Sequence, residues 1–216
     1  MSTMGTYLSA DEQDHVAEAI TRLQREFEGT FAPERVEAVM HESVEQMEVH
    51  AATTAWIPLL AEKFTRSRLH AAKRLGIDDP EREPGVLFAC IQNAGRSQMA
   101  EGFMRHLAGD RVAVFSGGSR PAHELHPNVV ASMAEIGIDI SNQSPHPWTD
   151  DIIKATDVIV TMGCGDECPV FPGRTYVDWD LDDPSGRSVE EVRPIRDDIE
   201  RRVRALMAEL EISPVV

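Results

Sequence analysis

The stretch Gly85-Val86-Leu87-Phe88-Ala89-Cys90-Ile91-Gln92-Asn93-Ala94-Gly95-Arg96-Ser97-Gln98-Met99-Ala100-Glu101-Gly102 decides how this chain folds. Its opening residues, Gly85 to Ala89, form a short apolar run that reads as a buried strand. A helix is predicted from Ser97 to about Leu107. Between them lies Cys90-x5-Arg96, a loop that turns a strand into a helix. In such a loop the backbone N–H groups and the free N–H groups of the new helix face one concavity, which suits a tetrahedral oxyanion.

The residue types fit that use. A thiol at the base of the concavity feels the positive end of the helix, which favours the thiolate nucleophile. Arg96 can fork two substrate oxygens and stabilise charge in a transition state. Gly95 lets the backbone curl without a steric cost. Ser97 can hydrogen-bond the thiolate, and the Asn93 side chain can brace the loop. The plainer reading of Cys90 is a buried core thiol, because free cysteine is among the most buried residues. A bare C-x5-R also occurs by chance; strand, loop and helix in register favour the nucleophile.

Outward from the loop, the pattern differs on the two sides. Downstream, Val112 to Phe115, Asp157 to Met162 and Thr175 to Trp179 read as further strands, and helices are predicted at about Asn128 to Ile136 and Ile195 to Leu210. Strands alternating with helices imply an α/β fold with a parallel sheet covered on both faces. Upstream, the chain reads as helix only. Ser9 with Glu12 makes a capping box ahead of Val16, Ile20, Leu23 and Phe27, and Gly29 is a stop. Pro33 opens a second helix with Val36, Met40, Val44 and Met47 on one face. A third runs from Trp56 to Leu75, with Ile57, Leu60, Phe64 and Leu69 inward, and stops at Gly76. The charged, proline-bearing stretch Ile77 to Pro84 is the best linker candidate. The expected organisation is a three-helix domain over 1–80 and an α/β domain over 81–216.

Composition narrows the function classes. A formal charge of -16 argues against generic binding to nucleic acid or an anionic membrane. It also opposes an anionic substrate, which local backbone dipoles and one arginine can overcome at contact range while distant charges are screened. No apolar run approaches the roughly 18–20 residues of a membrane span. The first residues lack a signal-peptide pattern, so a cytoplasmic location is expected. The three cysteines, Cys90, Cys164 and Cys168, are an odd number for a structural disulfide framework.

From Gly85 onward the chain resembles the low-molecular-weight protein tyrosine phosphatase superfamily, and within it the thioredoxin-coupled arsenate reductase branch. The segments that carry the resemblance are CIQNAGRSQMAEG at Cys90–Gly102, VFSGG at Val114–Gly118, IDIS at Ile138–Ser141, DVIVTM at Asp157–Met162 and DDP at Asp182–Pro184. The resemblance implies a four-stranded parallel sheet flanked by helices. It implies an oxyanion-binding loop formed by Ile91, Gln92, Asn93, Ala94, Gly95, Arg96 and Ser97 behind the nucleophile Cys90. Asp183, before Pro184, takes the role of general acid, with Asp180 and Asp182 as competitors and solvated turn residues as the bland alternative. Where this chain has Gln92 the family commonly has glycine, and where it has Gly95 often cysteine. The first change is expected to alter the loop conformation.

Cys164 and Cys168 lie in Gly163-Cys164-Gly165-Asp166-Glu167-Cys168-Pro169, just after the third predicted strand. In a parallel sheet that loop opens on the same edge as the Cys90 loop. The resemblance implies a relay. Cys90 attacks arsenate, Cys164 attacks Cys90 and releases arsenite, and Cys168 carries the disulfide on to thioredoxin. The alternatives are inert thiols or a zinc site, for which two cysteines make a poor ligand set. His123, His126 and His146 have no metal-ligand spacing. Asn93, Glu101 and Ser116 match parts of a cation site in some relatives, but His146 stands where a carboxylate is needed. No metal and no cofactor are therefore expected. Residues 8–76 hold no catalytic motif; dimerisation, as a homodimer, or partner docking is expected of them. Lys63, Arg66, Arg68, Lys73 and Arg74 hint at a DNA-binding helix, against which stand the helix-terminal stabilisation of cations and the acidic second helix. The competing functions are a tyrosine phosphatase and a non-catalytic redox-sensing binding module.

Overall fold

A computed structural model describes residues 8–49, 53–76, 82–163 and 172–215. The chain divides into two compact units, Met1–Asp78 and Asp79–Val216.

The first unit contains α1 (Ala10–Glu26), α2 (Pro33–Glu48) and α3 (Ile57–Leu75). The capping box at Ser9 and Glu12 is formed in both directions. Val16, Leu23, Phe27, Val36, Met40, Val44, Met47, Ile57, Phe64 and Leu69 are buried as their spacing predicts. Ile20 and Leu60 are half-buried, and Ala19 and Ala61 are buried beside them in the sequence. The cations of α3 are turned to a structural use. Arg66 donates to Glu26 at 2.8 Å and to Glu62 at 3.1 Å, Arg22 donates to Glu62 at 2.7 Å, and Arg68 donates to Glu42 at 2.7 Å. Buried carboxylates and guanidinium groups persist only when paired in this way.

The second unit is built on β1 (Gly85–Cys90), β2 (Ala113–Gly118), β3 (Val158–Thr161) and β4 (Thr175–Asp178), all parallel, in the order β2-β1-β3-β4. Its helices are α4 (Arg96–Ala108), α5 (Pro127–Ala134), α6 (Asp150–Ala155) and α7 (Val189–Glu209), with a 3₁₀ turn at Gly109–Arg111. Val86, Phe88, Val114, Val158 and Val160 meet Met99, Phe103 and Leu107 of α4, Met133 of α5, and Ile199, Val203 and Leu206 of α7 in one core. Leu87, Phe115 and Ile159 have the opposite parity, so they serve the other face, and they are buried too. Ile152 and Ile153 of α6, which packs on β1, are also buried.

Two elements differ from expectation. Helix α7 starts at Val189 rather than Ile195, because Ser188 and Glu191 form a second capping box. Pro194 sits in its early turns, where only the bond to the Glu190 carbonyl is forfeited. The six-residue α6 was not expected, being too short to show a helical period.

Strand order places the chemistry. From β1 the chain crosses to β2 on one side and then returns to β3 on the other, so the crevice of an open parallel sheet falls at the carboxyl end of β1. Cys90 is the last residue of that strand.

Candidate active site

The loop from Cys90 to Gly95 is shaped by its carbonyls. The Cys90, Ile91, Gln92 and Ala94 carbonyls accept hydrogen bonds from the N–H groups of Ser119 (3.3 Å), Arg120 (2.9 Å), Ala122 (2.9 Å) and His126 (3.0 Å). In a trans peptide the C=O of one residue and the N–H of the next point oppositely. With four carbonyls turned outward, the intervening N–H groups turn inward. The Asn93 N–H does so, donating to Cys90 Sγ at 3.1 Å. Met99 is the first residue of α4 whose N–H bonds back into the helix turn, to the Gly95 carbonyl, so the N–H groups before it remain available to a ligand. Close approach on the outer side requires Gly118, where a Cβ would lie 2.6 Å from the Ile91 carbonyl oxygen.

Cys90 is 2% exposed. Its Sγ lies 3.0 Å from Ser97 Oγ, which accepts a hydrogen bond from Asn93 Nδ2 at 2.9 Å. Because that lone pair of Ser97 is taken, its own proton is free to point at the sulfur and stabilise a thiolate. The Asn93 Oδ1 accepts from Gln98 Nε2 at 2.9 Å and from the His146 N–H at 3.0 Å. Gln98 Nε2 also donates to the Ser144 carbonyl. The amide of Asn93 is thus held from both ends, and its backbone takes the left-handed conformation at φ 49°. Asparagine tolerates that region better than most residues. The expected loop change at Gln92 meets no strain, since Gln92 is not among the positive-φ residues.

Arg96 is largely covered. One guanidinium nitrogen donates to the Leu181 carbonyl at 3.2 Å, and the other lies 3.9 Å from Asp183 Oδ2. Gly163, at φ +70°, presents bare backbone to it: a Cβ there would fall 2.7 Å from Arg96 Nη1. Asp183 is 60% exposed at its side chain, and its Oδ1 accepts from the Ser185 N–H at 3.1 Å. A pocket of about 120 Å³ opens on Cys90, lined by Ile91, Gln92, Gly95, Arg96, His126 and Asp183. Neither Asp180 nor Asp182 lines it: the Asp180 carbonyl accepts from Arg202, and Asp182 pairs with Arg187 at 3.3 Å. Gly95 closes the wall, because a Cβ there would stand 2.8 Å from Pro184 Cγ and 3.2 Å from His126 Cδ2.

The loop residues, Arg96 and Asp183 therefore come together around Cys90. Cys164 and Cys168 lie outside the described residues. Spacing alone leaves His126 a surface or loop residue, yet it lines the pocket; the available signal is a His-Pro pair opening the helix after β2. His123 is exposed, and His146 is buried, where desolvation holds its imidazole below the usual range against opposing effects of the Pro147 carbonyl and Glu101. Among the described residues no group of three or more His, Cys, Asp or Glu side chains is arranged to hold a metal ion. No described helix is long and apolar enough to cross a membrane.

Known proteins resemble both units of the chain. Residues 16–72 match the model of the protein-tyrosine-phosphatase-like N-terminal domain. A putative arsenate reductase of Halobacterium salinarum is 42% identical over 127 residues, 56% of this chain and 89% of that protein. The glutaredoxin arsenate reductase of a Synechocystis species is 38% identical over 58% of this chain and 97% of its own length. Among solved structures, the thioredoxin-dependent arsenate reductase of Corynebacterium glutamicum is 37% identical, with a TM-score of 0.79 over 93% of this chain and 98% of the other. Residues 85–214 match the family model described as low molecular weight phosphotyrosine protein phosphatase, and the chain belongs to that family.

Proposed function

We propose that this protein is an arsenate reductase that takes its electrons from a thioredoxin. The observation that carries the reading is the buried Cys90 sulfur at the base of a small N–H-lined pocket, faced by Arg96 and Asp183. Drug-sized ligands need pockets of about 300 Å³ or more, so a space this size favours a bare oxyanion. Relatives 38% and 42% identical are named arsenate reductases, and a thioredoxin-dependent one aligns along nearly the whole chain.

In the proposed reaction the Cys90 thiolate attacks arsenic(V), and Asp183 protonates the oxygen that leaves as water. The inward N–H groups and Arg96 hold the remaining oxygens. The Cys164 thiolate then attacks Cys90 Sγ: an S–S bond forms, the S–As bond breaks, and its electron pair stays on arsenic as arsenite. Cys168 attacks Cys164, frees Cys90 as a thiolate and leaves a Cys164–Cys168 disulfide for the dithiol of thioredoxin to reduce. The residue roles and the cysteine order are part of the proposal, as is the use of the N-terminal helices for association with a second copy or a partner.

Arsenate-dependent NADPH oxidation with thioredoxin and thioredoxin reductase tests it, using wild type, Cys90→Ser, Cys164→Ser and Cys168→Ser. Multiple turnover in wild type alone is expected. Full turnover by Cys168→Ser, or activity supported only by glutaredoxin or a small thiol such as mycothiol, refutes the relay or its donor. Aryl phosphate hydrolysis that exceeds arsenate turnover and survives loss of Cys164 and Cys168 identifies a phosphatase instead. A folded chain without turnover of either substrate identifies a binding module.

A further inference from the structure

We propose that His126 is a substrate-contacting residue of this pocket, a second side-chain donor that joins Arg96 in holding the oxyanion. The inference rests on reading the Cys90 pocket as the oxyanion site. Three observations carry it. The His126 backbone is locked to the loop through its N–H bond to the Ala94 carbonyl, and Pro127 fixes the start of α5 directly after it. Its imidazole lines the pocket beside Gly95, and the missing side chain at that position makes the room. Neither ring nitrogen has a hydrogen-bond partner among the described residues, although the ring is half-buried.

The charge balance of the pocket gives such a group a purpose. The ionisable side chains that line the pocket with the imidazole are those of Cys90, Arg96 and Asp183, and Pro184 lies beside it across Gly95. His123 and Glu124 are exposed neighbours on its own stretch. Arg96 is thus the only permanent cation among the described lining residues, and it shares its charge with Asp183. A dianion carries more charge than that arrangement neutralises. An imidazole offers one donor when neutral and two when protonated. His126 thereby adds a second side-chain donor to the pocket.

The test uses sulfate, which remains a dianion from pH 5.5 to 8, as a protectant of Cys90 against iodoacetamide. Labelling of the Cys90 peptide is followed by mass spectrometry in the full-length protein. Wild type, His126→Gln and His126→Asn are compared, with circular dichroism to establish folding. Wild type should bind sulfate about tenfold more tightly than either variant at pH 6, equivalent to about 1.4 kcal/mol. Equal protection of folded variants and wild type at every pH overturns the assignment of His126 alone. Absence of protection in wild type overturns the oxyanion-site reading and His126 with it. Protection that depends on His126 in a protein that does not reduce arsenate leaves the contact standing and removes only the reductase.

Discussion

Replacing Asn93 by alanine removes the support of the nucleophile in a way that can be given a size. The side chain accepts from the His146 N–H and Gln98 Nε2 and donates to Ser97 Oγ. Gln98 keeps its bond to the Ser144 carbonyl, so the principal orphan is the His146 N–H, buried beside the loop. An unsatisfied buried donor costs about 1–3 kcal/mol. Alanine in the left-handed conformation that Asn93 adopts costs about 1–2 kcal/mol more. The expected loss is therefore about 2–5 kcal/mol. Urea unfolding followed by tryptophan fluorescence measures it, in a Trp56→Phe background so that Trp148 and Trp179 of the second unit report. Without the Asn93 donor the Ser97 hydroxyl is free to turn away from sulfur, so alkylation of Cys90 should also slow. A loss below about 1 kcal/mol with unchanged alkylation would refute this account of the loop.

Other substitutions probe the remaining contacts. Asp183→Asn should lower kcat for arsenate by about a hundredfold, the scale of a lost general acid, with little change in KM; steady-state kinetics decide it. Gly95→Ala forces its Cβ against Pro184 and should cost about 1–3 kcal/mol of stability, read as a lower urea midpoint. Burial, reinforced by Arg105, holds the His146 imidazole below its ordinary range, with the Pro147 carbonyl and Glu101 opposing. A depressed folded pKa means that stability is complete above about pH 6.5 and declines as pH drops below it. Urea midpoints should therefore fall between pH 7.5 and 5 in wild type, and less steeply in His146→Gln.

Much of this was legible in the sequence, for identifiable reasons. The run Gly85–Ala89 and the Cys90 loop declared themselves because a strand buried on both faces admits no polar residue and because the loop joins it directly to a helix. The capping box at Ser9 marks the start of α1; the same motif at Ser188 is masked in the sequence by Pro194, which interrupts the helical pattern that follows it. The weak signal of β4 reflects exposed Thr175 and Asp178 on an edge strand. The place of His126 could not be read from spacing. It depends on backbone bonds between 119–126 and the loop, and every residue type except proline carries the same peptide donor. The pairing of the basic residues of α3 was legible only in part: Glu62 lies one helical turn before Arg66, whereas Glu26 and Glu42 are distant in sequence.

The four outward-facing carbonyls of the loop also govern the timing of capture. Rotating any one of those peptides would break a bond to the 119–126 segment before a substrate could offer another in return. The receptor is consequently assembled while empty, and oxyanion arrival requires no rearrangement of the chain. Rapid-mixing records of Cys90 protection should follow a single exponential whose rate rises linearly with anion concentration and shows no plateau. Added inert salt should quicken that arrival, because screening weakens the repulsion between the anion and a chain of net charge -16.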